Sequence, residues 1–146
     1  MVNFSFQINP MLYFKIGSYI LILTCFLHLF GHFQKAVPEN ETEEQLLSLM
    51  INYKMDVGFG QILTMMELQK GFSLCFSLLF LWSGVLGLFL SRQLSSQPML
   101  LKRISKLYAS ALLIGTVISM MYFFLAPTLC FALALISFSI ASIRIQ

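Results

Sequence analysis

The sequence predicts an all-α fold: an integral membrane four-helix bundle with an extra amphipathic helix in its first loop. Three observations predict it. Hydrophobic residues make up 58% of the 146-residue chain and charged residues 10%, which leaves too little polar surface to cover a soluble globule. Four apolar runs approach the roughly 20 residues needed to cross about 30 Å of hydrocarbon. The charges bracket those runs rather than interrupt them. One membrane domain spanning residues 1–146 is expected.

The first run, 16–33, lies between Lys15 and Gln34-Lys35. Reading it as a secretory signal fails, because no small-x-small cleavage site follows and the run is long for a signal core. A lipoprotein signal fails as well, since Thr24 precedes Cys25 in mid-run. The segment is expected to be a retained span. The second run, 71–90 (GFSLCFSLLFLWSGVLGLFL), carries no charge and is bounded by Lys70 and Arg92. The third, 107–126, runs from Lys106 to Pro127. The fourth, 128–143, ends at Arg144 and is short, so its helix should tilt little or borrow interfacial residues. Ala126-Pro127-Thr128 joins the last two. Proline lacks an N–H and restricts the residue before it, so a break and a tight reversal are expected there. One kinked helix of about 37 residues would overshoot a bilayer.

The sizeable extramembrane piece runs from residue 34 to about 61. Pro38 and Asn40 mark a turn, and Thr42-Glu43-Glu44-Gln45 matches a capping box. The spacing predicts a helix over 42–54, with Leu46, Leu47, Met50 and Ile51 on an apolar face and Glu43, Glu44 and Ser48 toward water. It is expected to lie on the membrane surface or to cap the bundle. Val57-Gly58-Phe59-Gly60 reads as a turn, after which residues 61–70 should be helical and lead into span two. Asn40-Glu41-Thr42 is a glycosylation sequon that would matter only in a eukaryotic secretory setting.

Formal net charge is +3, with no basic run interleaved with aromatics, so no nucleic-acid partner is expected. With the N-terminus cytoplasmic, Lys15, Arg92, Lys102, Arg103, Lys106 and Arg144 lie inside and Lys35, Lys54 and Lys70 outside. Six against three favours both termini inside. The basic loop 91–106 then faces anionic headgroups, which makes membrane lipids the first expected partners. Cys25, Cys75 and Cys130 show no CxxC spacing and read as packing thiols. Ala111, Gly115 and Ser119 on span three, Ser73 and Ser77 on span two, and Ser83 with Gly87 form small-residue faces that let helix backbones approach closely.

Few residues could carry chemistry. His28 and His32 are one helical turn apart on span one and share a face, which is metal-ligand spacing on a helix. Ionisable groups inside a membrane are expensive, so they mark a candidate site. Glu67 and Lys70 begin span two and Tyr122 ends span three, at the same side of the membrane as the histidines. The candidate ligand-binding set is therefore His28, His32, Glu67 and Tyr122, with His28 and His32 the ligands of any metal. Measured from Lys15 and Arg92, His32 stands about 25 Å up its helix and Glu67 about 37 Å. His32 is thus a better partner for Glu67 than His28. Histidines near a span's end also serve as interfacial residues, Tyr122 suits the interfacial aromatic belt, and the paired methionines suit packing. No nucleophile-base pair, phosphate loop or paired carboxylate is present, no cofactor is assignable, and no catalytic residue is expected. A transporter is disfavoured because no span carries a central charge.

The strings His28-Leu29-Phe30-Gly31-His32-Phe33, Pro38-Glu39-Asn40-Glu41 and Met66-Glu67-Leu68-Gln69-Lys70-Gly71-Phe72-Ser73-Leu74 resemble those of a group of small uncharacterised bacterial four-helix membrane proteins. The resemblance covers most of the chain and implies a bacterial inner membrane and no established activity. It marks His28, His32, Glu67, Gly71, Phe72 and Ser73. Two function classes follow. One is a structural or accessory membrane component, self-associating or part of a larger complex. The other is an intramembrane binding protein or enzyme for a metal, a quinone-like lipid or a small apolar ligand, built on the His/Glu cluster.

Overall fold

The structure, a computed structural model, describes residues 10–145. In chain order the elements are α1 (Pro10–Phe33), α2 (Glu41–Asn52), β1 (Lys54–Asp56), β2 (Ile62–Thr64), α3 (Met65–Gln93), α4 (Pro98–Tyr122) and α5 (Leu125–Arg144). Four of these helices, α1, α3, α4 and α5, are long and apolar enough to cross a membrane. The chain divides into two compact units. One holds α1 through Thr24 and the chain from Phe80 onward; the other is Cys25–Leu79.

In the first unit, aromatic rings meet around fully buried Phe14 and Phe138. Their centroids are 5.1 Å apart, edge to face, and Tyr108 stacks on Phe138 at 4.6 Å. The Tyr108 hydroxyl donates to the Ser83 carbonyl of α3 at 2.9 Å, so the polar tip of a partly buried ring is satisfied within the unit. Small residues set the helix separations. A Cβ on Gly84 would stand 2.7 Å from the Ser18 carbonyl oxygen, and one on Gly87 would collide with the Ser18 hydroxyl. Ser83 and Gly87 therefore serve packing within this unit, against α1 and α4.

The α4 stripe does the same. Gly115 lies under the Phe131 ring of α5, and buried Ser119 shares a 2.8 Å hydrogen bond with Thr128 across the two helices. Serines and threonines facing the interior satisfy themselves on their own helix: Ser18 on the Phe14 carbonyl, Ser105 on Leu101, Thr116 on Leu112 and Ser137 on Leu133. Among the described residues, every buried side-chain nitrogen or oxygen has a hydrogen-bond partner, as a medium without water requires.

The reversal between α4 and α5 comes earlier than Pro127 suggests. Phe123 and Phe124 are extended, at φ −122°, ψ 172° and φ −84°, ψ 175°, and Leu125 opens α5. Proline at the third position of a helix breaks no bond, because the first-turn N–H groups have no partner within the helix. Pro127 thus starts a helix rather than ending one.

In the second unit, α2 begins at Glu41, one residue before the expected start. Asn40, not Thr42, is the cap: its side-chain oxygen accepts from the Glu43 N–H at 2.9 Å, while the Glu43 carboxylate accepts from the Glu39 N–H at 2.8 Å. The helix closes at Asn52, because the next residues enter an unexpected antiparallel hairpin. Lys54 pairs with Thr64, Met55 with Leu63 and Asp56 with Ile62. Its turn needs three left-handed residues in succession, Gly58 at φ 95°, Phe59 at φ 55° and Gly60 at φ 77°. The flanking glycines adopt that region without strain, whereas Phe59 does so at the exposed tip. Residues 62–64 are accordingly strand, and the helix expected from residue 61 starts at Met65.

Candidate functional site

The expected site residues divide between the units. His28, His32 and Glu67 belong to Cys25–Leu79; Tyr122 ends α4 in the other unit, 74% exposed.

His28 and His32 occupy the last two turns of α1, and both are half-buried. The His28 Nε2 lies 3.1 Å from the Ser73 hydroxyl of α3. Ser73 in turn offers its carbonyl to the Ser77 hydroxyl at 3.0 Å, and the Phe76 ring stands edge-on to the imidazole at 6.5 Å. A two-helix polar contact results, with Ser73 as the partner that the candidate set lacked. Its sequence signal was present twice, in the Ser73-x-x-x-Ser77 stripe and in the string carrying the resemblance. His32, one turn further on, meets the edge of Phe33 at 5.0 Å.

Glu67 does something different. Its carboxylate accepts from the Thr64 N–H at 2.9 Å and from the Thr64 hydroxyl at 3.0 Å, while its own N–H donates to Thr64 Oγ1 at 3.2 Å. This is a reciprocal capping box at the start of α3, legible as Thr64-Met65-Met66-Glu67. A carboxylate in the first helical turn also meets the positive end of the helix dipole. Six residues, about 9 Å of helix rise, separate Glu67 from Ser73, so the cap and the His28 contact are distinct features. Thr64→Ala should remove about 1 kcal/mol of cap stability. Amide hydrogen exchange over residues 64–68 is the readout, and unchanged exchange there would contradict the cap.

No group of three or more His, Cys, Asp or Glu side chains able to hold a metal occurs among the described residues. The histidine pair offers two nitrogen donors, one already within reach of Ser73. A structural or catalytic zinc site takes three or four protein ligands, so the pair alone does not complete one. Comparisons with protein-family models, curated proteins and solved structures yield no match to this chain, so the functional reading rests on these residues.

Proposed function

We propose that this chain is a small multi-pass component of a bacterial cytoplasmic membrane, structural or accessory in role, which self-associates or belongs to a larger membrane complex. The His28–Ser73 hydrogen bond carries the reading. Polar side chains that bond across neighbouring helices act as packing glue in lipid, and Glu67 is engaged by its own helix cap. In this reading both termini and the basic loop 91–106 are cytoplasmic, supported by the six-to-three distribution of Lys and Arg. The first loop, with α2 and the hairpin, is external. Exposed Leu46, Leu49 and Ile51 of α2 suit contact with the membrane surface. The bacterial setting rests on the sequence resemblance.

A double-mutant cycle on His28→Ala and Ser73→Ala tests the reading. The expected coupling is about 0.6 kcal/mol, the typical value for such bonds in a membrane protein, with metal and extractable ligand content the same in wild type, His28→Ala and His32→Ala. Absence of coupling, together with a metal or quinone-like molecule present in wild type and lost in both histidine variants, would establish the binding-protein reading in its place.

A further inference from the structure

Charge is segregated between the two units. All six acidic residues lie within Cys25–Leu79, whereas the other unit carries Lys15, Arg92, Lys102, Arg103, Lys106 and Arg144 and neither Asp nor Glu. Those cations gather at one end. The mutual ring contacts of Phe14, Tyr108 and Phe138 fix a common level. Lys15 is next to that level on α1, Lys102 to Lys106 occupy the turns before Tyr108 on α4, and Arg144 stands 5.9 Å over the Tyr13 ring.

One of these cations shares a helix face with residues that line a cleft. Arg103, Leu107 and Ala111 recur at intervals of four and so share a face of α4. Leu107 and Ala111 line a cleft of about 300 Å³ with Phe80, Ser83 and Phe131. Arg103 lines a second cleft of about 310 Å³ with Gln97, Pro98, Met99 and Leu100 at the start of the same helix. From Arg103 to Ala111 the rise is about 12 Å. A cation therefore stands one to two helical turns below the α4 residues that line the first-named, mainly apolar cleft.

We propose that this stripe is a binding site for one anionic phospholipid, its phosphate on Arg103 and one acyl chain in the cleft between α3 and α4. The guanidinium fork matches phosphate oxygens in two-point contact. Basic positions beside transmembrane helices attract acidic headgroups. No acidic residue of this unit opposes the headgroup, and a mainly apolar cleft is suited to a chain. The inference rests on membrane embedding and is independent of whether the protein is structural or ligand-binding.

The test is native mass spectrometry of the full chain in detergent with equimolar phosphatidylglycerol and phosphatidylcholine of identical chains. A single basic contact near a headgroup is worth about 1 kcal/mol, so roughly fivefold preferential retention of the anionic lipid is expected. Arg103→Gln should abolish that preference, while Lys102→Gln, off the stripe, should leave it. Ala111→Phe, which fills the cleft and keeps every charge, should weaken retention of both lipids. Phosphatidylglycerol with six-carbon chains decides the chain's part without any substitution: it should be held much less well than the long-chain form. Equal retention of the two headgroups, equal loss from Arg103→Gln and Lys102→Gln, or equal retention of short and long chains would each overturn the site. The last result would reduce it to a phosphate contact that inorganic phosphate should also occupy.

Discussion

Phe138→Ala is expected to destabilise the protein by about 2 kcal/mol or more, and the reason is packing rather than escape from water. A helix of this kind unfolds within lipid, where the ring stays in an apolar medium, so the transfer contribution that dominates in soluble cores is largely absent. What remains is the void. Phe138 is fully buried, in contact with Phe14 and Tyr108, and an alanine there leaves on the order of 100 Å³ unfilled; at about 24 cal/mol per Å³ this is ~2.4 kcal/mol. Gly17 offers no atoms to collapse into it, since that glycine accommodates the ring: an added Cβ would be 2.7 Å from it. The Tyr108 hydroxyl would also lose its support against Ser83. Denaturation by a harsh detergent should read the loss, and Phe138→Leu should recover part of it. A Phe138→Ala variant as stable as wild type would mean that this cluster is not the packed centre of its unit.

Much of this architecture was legible because lipid permits few solutions. A run such as 71–90 without a charge must form its own hydrogen bonds and so must be a helix. The features that were not legible share a cause: each depends on which of two local signals prevails. Pro127 carries the signal of a breaker, although its missing N–H is harmless in a first turn, and extended Phe123 and Phe124 make the reversal instead. The hairpin strand Lys54-Met55-Asp56 holds no β-branched residue and spans only three positions, too short for alternation to register. Thr64-x-x-Glu67 is a readable cap, but Glu67 is equally a charge beside a span, and the spacing alone does not say which role prevails. At the candidate site, His28 could be placed on a face from its spacing alone. That it meets Ser73 depends on the register of α1 against α3, which a long intervening segment does not fix.

Gly84→Leu is expected to be the most damaging single change at a helix contact, and the neighbouring glycines show why. At Gly17 the obstructing atoms belong to a side chain, the Phe138 ring, and at Gly115 the Phe131 ring stands back at 3.3 Å. The partly buried Phe131 ring can shift, and at Gly17 the obstruction is a side chain rather than backbone. At Gly84 an added Cβ would meet the Ser18 carbonyl oxygen at 2.7 Å and the Ile22 backbone nitrogen at 3.0 Å, and backbone atoms of a helix cannot rotate away. The only relief is separation of α1 from α3. Separation forfeits the close-approach packing on which association in lipid depends, and overpacking of this sort costs about 1–3 kcal/mol. The added branches of leucine place Gly84→Leu at the top of that range, with Gly84→Ala lower. Gly31 and Gly71 provide the opposite sign. They lie in helices with nothing within 4 Å of an added Cβ, so alanine there should gain helix propensity, up to about 1 kcal/mol. Measured side by side in one detergent titration, Gly84→Ala should destabilise while Gly31→Ala and Gly71→Ala stabilise. If all three moved together, propensity rather than close approach would account for Gly84, and the contact between Ser18 and Gly84 would not be what holds these two helices together.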